Sequence, residues 1–185
     1  MNAPRLSTAR LHLWLPDPSW AEPVADYFRR NREHFRPWDP PRSPAFFTIP
    51  YWQTQLEANR RELEEDRSLR LFLELQGQMV GHCNFTGITR GPFQACYLGY
   101  GLAADQVGRG LMTEALRAAL TYVFEELKLH RVMANYLPEN ERSRRVLERL
   151  GFRVEGYAPE YLYINGAWRD HVLTALTTRA APPPG

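Results

Sequence analysis

The chain has 185 residues, 44% of them hydrophobic and 24% charged, a balance that excludes global disorder and suits one domain around one sizeable core. A net charge of +2 gives no electrostatic case for direct nucleic-acid binding. The opening MNAPRLSTAR lacks the apolar run of a signal peptide, no later stretch is apolar for long enough to span a bilayer, and Cys83 and Cys96 stand outside any CxxC pair, so the expectation is a cytoplasmic chain with reduced thiols.

In chain order, Leu11, Leu13 and Leu15 alternate with His12 and Trp14, which predicts a strand with one buried face. Ser19 followed by Glu22 has the spacing of a capping box, and Trp20, Val24, Tyr27 and Phe28 continue it as a helical stripe. The next segment, FRPWDPPRSPAFFT (35–48), is too rich in proline for a helix or a central strand and too aromatic for a disordered linker. An ordered loop packed over another part of the fold is expected there. Trp52, Leu56 and Leu63 space a helix over about 50–66.

From Leu69 the period changes to two: LRLFLELQ, a Gly77 turn and MVGHCNF read as a hairpin, followed by a Gly91-Pro92 turn and a strand over 94–102. Gly99 and Gly101 inside that strand predict a bulge or a close backbone approach. A helix is expected over 111–127, a strand over 131–137, a helix over 141–150 capped by Gly151, and a strand over 152–158. Asn165-Gly166 joins a last hairpin of strands near 160–164 and 168–177, and residues 179–185 read as a frayed tail. No internal repeat or domain boundary interrupts 1–185, so a single α/β (α+β) domain is expected.

Two segments carry chemistry. In LGYGLAADQVGRGLMTEAL (98–116), Gly108 and Gly110 let the backbone turn its N–H groups toward one point at a helix N-terminus, and Arg109 adds fixed positive charge. With Leu111, Met112 and Thr113 of the first helical turn, this forms an anion site suited to a pyrophosphate; a GxG at a helix start also serves as a simple tight turn. It is neither a Walker loop nor a GxGxxG fingerprint. In PENERSRRVLERLGF (138–152), Asn140 and Ser143 are either plain helix-capping residues or, respectively, a partner for a cofactor amide and a reacting hydroxyl. The basic residues are arginines apart from Lys128, which suits phosphates but equally reflects codon composition. The histidines show no ligand spacing, so no metal is expected.

VGRGLM followed by NERSRRVLERLGF resembles the Gcn5-related N-acetyltransferase (GNAT) family, with its Q/R-x-x-G-x-G/A loop and its Asn-led helix ending in GF. HFRPWDP, ACYLGYGL, KLHRVMANYLPEN and GAWRDHVLTALTT are similar to the branch of that family that acetylates the N-terminal alanine of a ribosomal protein, the RimJ type. The likeness runs from about Arg10 to Thr178. It implies a twisted, mixed, mostly antiparallel sheet of about seven strands with helices on both faces. It also implies acetyl-CoA as co-substrate and the free N-terminus of a protein, from the ribosome, as acceptor. The expected state is a monomer or weak homodimer.

The resemblance assigns Ser143 as the group that protonates the departing thiolate, and it places Tyr97 where relatives carry a glutamate base. Val107, Met112 and Leu147 depart from the broad family pattern, and Leu147 removes the tyrosine acid that many relatives use. The backbone N–H groups near Leu102 and Ala103 are expected to stabilise the oxyanion. An α-amino group of pKa about 8 is roughly one-tenth neutral at pH 7, whereas a lysine costs about 4–5 kcal/mol to deprotonate, so a site without a direct carboxylate base suits an N-terminus. Glu160 and Asp170 read as surface charge, and the Asp170-His171 pair is rejected as a triad because adjacent strand residues face opposite ways. Small-amine acetylation and a non-catalytic acyl-CoA-binding or ribosome-associated module are the alternatives.

Overall fold

The structure is a computed structural model that describes residues 4–178, so the expected frayed tail at 179–185 lies outside the described residues. One eight-stranded sheet runs through it in the order β1-β2-β3-β4-β5-β6-β8-β7. The strands are β1 Arg5–Ser7, β2 His12–Trp14, β3 Ser68–Leu75, β4 Gln78–Thr89, β5 Ala95–Leu102, β6 Arg131–Tyr136, β7 Arg153–Ile164 and β8 Ala167–Thr177. Every neighbouring pair is antiparallel except β5–β6, which is parallel. The strands expected separately over 152–158 and near 160–164 are one continuous strand, β7, and β1 was not expected, because its three residues are too few to show an alternation.

The helices are α1 Ala21–Arg30, α2 Arg32–Phe35, α3 Ile49–Glu64, α4 Leu111–Glu125 and α5 Glu141–Arg149. Alternate residues of the strands face two separate cores. On one face, Leu69, Leu71, Leu73, Cys83, Phe85, Cys96, Leu98 and Val132 pack against Leu111, Ala115, Leu116 and Ala119 of α4 and Leu147 of α5. On the other, Phe72 and Met79 pack under Val24, Tyr27 and Phe28 of α1 and Trp52 and Leu56 of α3. Each fully buried leucine or phenylalanine contributes about 1.5–3 kcal/mol relative to exposure. Both cysteines are buried thiols, and desolvation pushes each up to about 12.

The capping box at Ser19 does not form. Asp17 accepts the Ser19 N–H at 2.8 Å and the Ser19 hydroxyl at 2.5 Å, capping a 3-10 turn over Pro18–Trp20 that leads into α1. The hydroxyl is spent one turn too early to serve α1. The segment 35–48 is ordered as expected, with a 3-10 turn at Pro44–Phe47 and with Phe35 and Phe46 buried in the second core. Phe28 stacks on Trp52 with centroids 4.9 Å apart, and the Trp52 indole donates to the Phe46 carbonyl at 2.8 Å. The proline loop is thereby fastened to α1 and α3.

The close approach predicted in β5 occurs at Gly101, where a Cβ would sit 2.6 Å from His82 Cε1 and 3.2 Å from Phe35. Gly99 has open space instead. His82 is buried and pairs with the Tyr27 hydroxyl at 3.1 Å, and the same hydroxyl donates to the Gly101 carbonyl at 3.2 Å. Burial, assisted by Arg42 and Arg70, lowers His82 to about 3, so it is neutral at any ordinary pH. At the far end, Asn165 and Gly166 take φ of 47° and 84°, the paired left-handed residues of a tight hairpin turn.

Candidate active site

The site begins where two strands part. β5 and β6 pair only from Ala95–Arg131 to Tyr97–Met133, while β5 stays with β4 as far as Leu102–Gly81 and β6 stays with β8 as far as Tyr136–Val172. A gap therefore opens in the middle of the sheet. The Gln94 carbonyl accepts from His130 and Arg131 on β6's side, whereas the Ala103 N–H donates to the Val80 carbonyl on β4's side at 2.7 Å. Strand alternation then turns the backbone groups of Leu98, Tyr100 and Leu102 into the gap. Ala103 is a correction to the expected donor pair: its N–H is taken by Val80 and its carbonyl accepts from Gln106 at 2.9 Å. Leu102 alone keeps the predicted position.

The loop at the mouth of the gap has the expected geometry. Gly108 and Gly110 have φ of 80° and 75°, the left-handed region that a residue with a Cβ enters at a cost. Thr48 and Asn140 cap α3 and α5 with their side chains, whereas α4 starts at Gly110 with no side-chain cap among the described residues. The first-turn N–H groups of Leu111, Met112 and Thr113 are thus left to an external acceptor. Leu111 and Met112 bury their side chains in the core, so they contribute through backbone only.

Sequence reasoning missed the brace behind the loop. Arg10 donates from Nη1 to the Arg109 carbonyl at 3.0 Å and from Nε to Glu114 at 2.7 Å, and Thr8 Oγ1 donates to the same carboxylate at 2.6 Å. The Thr8 hydroxyl, then Arg10, hold Glu114 below the usual carboxylate range. Arg10 thus offsets the charge of an acid that sits in the first turn of α4. The Arg109 guanidinium itself bonds Gln106 Oε1 at 2.5 Å and is exposed.

On α5, Asn140 Oδ1 accepts the Ser143 N–H at 3.0 Å, so Asn140 is the helix cap and its Nδ2 remains for another partner. The Ser143 hydroxyl does something else: its Oγ lies 2.7 Å from the Tyr100 hydroxyl, which also reaches the Ser143 carbonyl at 3.3 Å. Burial raises Tyr100 above its ordinary value, keeping it protonated and therefore a donor. Tyr100 shares the strand parity of Leu98 and Leu102, and that parity is the signal from which it could have been found. Leu147 is fully buried in the core and offers no hydroxyl.

Tyr97 lies on the opposite face of the sheet from Ser143 and is exposed. Beside it stands Tyr161, raised first by burial and then by Tyr97, with Asn135 Nδ2 donating to its hydroxyl at 3.2 Å. Tyr161 is aimed there by a break in β7 between Ala158 and Leu162, where Pro159 lacks an N–H and Glu160 takes φ of 49°. Asp170 steadies the break by accepting from the Glu160 N–H at 2.8 Å and the Tyr157 hydroxyl at 2.6 Å. Asp170 is therefore structural, and the Glu160 side chain is exposed. Among the described residues no cluster of His, Cys, Asp and Glu could hold a metal ion, and no helix is long and apolar enough to cross a membrane.

Comparison with known proteins agrees with this geometry. The family model described as Acetyltransferase (GNAT) domain matches residues 10–153. The chain is 44% identical over 176 residues to the ribosomal protein uS5-alanine N-acetyltransferase of Escherichia coli (strain K12), covering 94% of this chain and 91% of that protein. The crystal structure of the ribosomal-protein-S5-alanine acetyltransferase from Vibrio fischeri superposes with a TM-score of 0.94 at 37% identity, over 97% of this chain and all (100%) of that one. Mycobacterium smegmatis RimJ in complex with CoA-disulfide gives a TM-score of 0.87 at 31% identity, covering 95% of this chain and 86% of that one. The strand gap, the uncapped α4 and the match across both sequence and fold lead to one conclusion: the chain belongs to the GNAT family of acetyltransferases.

Proposed function

We propose that this chain transfers an acetyl group from acetyl-CoA to the free N-terminal amine of a protein, the N-terminal alanine of a ribosomal protein, in the cytoplasm where ribosomes are made. The observation that carries the acceptor is the 44% identity, spread over 94% of the chain, to an enzyme named for acetylating the alanine of ribosomal protein uS5. The single sheet joining β1 to β8 supports the one-domain reading.

Bound acetyl-CoA supplies an activated acetyl thioester. The loop glycines and the first-turn N–H groups of α4 would hold its pyrophosphate, and Asn140, whose Oδ1 caps α5, would bond an amide of its arm through Nδ2. The Leu102 N–H, turned into the gap, stabilises negative charge on the carbonyl oxygen as the amine nitrogen bonds to the carbonyl carbon. The carbon–sulfur bond breaks as Ser143 Oγ gives its proton to the sulfur, the Tyr100 hydroxyl stays protonated and hydrogen-bonded to the serine oxygen, and a proton from water restores the serine. The acceptor amine enters from the face of Tyr97 and Tyr161, and its excess proton leaves through these hydroxyls to water. A tyrosine face is a weak base, which an α-amine of pKa about 8 tolerates and a lysine does not.

Arginines 32, 36 and 42 line a recess on this acceptor side, a surface that repels the polycations a small-amine acetyltransferase would seek. The test is N-terminal mass spectrometry of ribosomal proteins from cells with and without this gene. One alanine N-terminus is expected to lose its acetyl group in the deletion strain; an unchanged set of N-termini would contradict the assignment.

A further inference from the structure

Beside the gap lies a recess of about 370 Å³ bounded by the 35–48 loop and the tip of the β7–β8 hairpin. Phe28, Phe35 and Phe46 are its apolar lining residues, and Arg32, Arg36 and Arg42 line it with Asp39 as the one acidic lining residue. We propose that this recess takes an acidic side chain of the acceptor polypeptide, close behind its N-terminal residue, and so helps to select which protein is acetylated. The inference rests on the acetyl-transfer reading above and adds a specificity site to it.

Three observations carry it. The first is position. Phe35 packs against the β5 backbone at Gly101, where its ring lies 3.2 Å from the place a Cβ would occupy, next in sequence to the Leu102 N–H that faces the gap. The recess therefore adjoins the strand whose end borders the gap, within reach of residues that follow an N-terminus held there. The second is the state of the arginines. Arg32 lies over the Phe47 ring, Cζ 4.9 Å from its centroid, and has no carboxylate within ion-pair distance among the described residues. Arg42 lies over Phe46 at 4.6 Å and shares Asp39 at 3.3 Å, while Arg36 meets only the exposed Glu33 at 3.0 Å. A guanidinium stacked on an aromatic face keeps its fork of N–H donors pre-oriented in its own plane, the geometry that binds a carboxylate with two hydrogen bonds.

The third is the setting. The floor is buried aromatic surface while the three arginines stay exposed, so the recess joins an apolar wall to a charged rim. A polyanion such as RNA would need rows of cations over a broad surface, whereas these three charges converge on one concavity in a chain of net charge +2. A single carboxylate side chain matches the recess better.

The experiment uses the full chain with acetyl-CoA and peptides that carry a free N-terminal alanine and an otherwise neutral sequence. Glutamate is compared with glutamine at successive positions behind the alanine. At one or two adjacent positions glutamate is expected to lower KM about 10-fold with little change in kcat, the worth of one good charge-assisted pair. Arg32→Gln is expected to shrink that ratio, and Arg32→Glu to turn the preference toward a lysine at the same position. Both changes sit on an exposed side chain, and an unchanged melting curve checks that the variants fold.

Equal KM values for glutamate and glutamine peptides at every position would overturn the subsite, as would a preference that survives both Arg32 variants. Loss of the preference on adding a short oligouridylate would also count against it, by showing a nucleic acid in the recess. If no free N-terminus is acetylated at all, the acetyl-transfer reading fails first and the subsite with it.

Discussion

Ser143 owes its place to two neighbours that divide its atoms between them. Asn140 holds its backbone N–H at 3.0 Å and Tyr100 holds its hydroxyl at 2.7 Å. Removing the hydroxyl therefore leaves the helix cap intact, so Ser143→Ala is expected to keep its melting temperature and its acetyl-CoA affinity. Turnover should fall about 10- to 100-fold, the usual worth of a positioned acid when the leaving thiol is a fair leaving group unaided. Steady-state kinetics with calorimetry for acetyl-CoA checks this, and wild-type turnover in Ser143→Ala would leave water as the proton source. Tyr100→Phe acts through Ser143, so its loss should be a few-fold and should vanish in the Ser143→Ala background, a double-mutant test of the coupling. The serine was singled out in the sequence through its family motif. Its tyrosine partner was not, because which strand residue faces a helix depends on where β5 leaves β6, and nothing local to YLGYGL encodes that.

Elements set the two binding surfaces. The start of α4 has its donors open because Gly110 has no side chain with which to cap them, and its φ of 75° is one that a residue with a Cβ enters only at a cost. Gly110→Glu should abolish acetyl-CoA binding in calorimetry while circular dichroism still reports a folded protein, since it strains the backbone that aims the donors and adds a negative charge beside them. Unchanged affinity would show that the loop binds nothing. This loop, the Asn140 cap and the Asn-Gly hairpin were readable because each is written in a few consecutive residues with a specific backbone demand. The brace from Arg10 to Arg109 and Glu114 joins positions 99 and 104 residues apart, and no local pattern marks it. The Ser19 capping box failed for a related reason: Asp17, two residues earlier, competes for the same hydroxyl and wins with a charged acceptor.

The two cores lie on opposite faces of one sheet, and the gap between β5 and β6 is where the faces communicate. The acceptor-side core has a neutral histidine at its centre, which makes the fold sensitive to acid. His82 is lowered to about 3 by burial and is at its ordinary value once unfolded, so the unfolded state binds the extra proton between those values. Stability is full above pH 6.5 or so and falls on acidification at up to about 1.4 kcal/mol per pH unit from this one group. Urea titrations across that range should show the slope, and His82→Gln, though less stable throughout, should lose it. An identical slope in the variant would show that carboxylates alone account for acid unfolding.

At the scale of the reaction, the absence of a carboxylate beside Tyr97 and Tyr161 among the described residues makes the amine's own pKa the arbiter of what is acetylated. One peptide measures this directly: it carries both a free N-terminal alanine and an internal lysine, is incubated with the chain and acetyl-CoA, and is fragmented in a mass spectrometer to locate the acetyl group. The acetyl group is expected on the α-amine, with the lysine unmodified; an acetyl group on the lysine side chain while the N-terminus stays free would contradict the account.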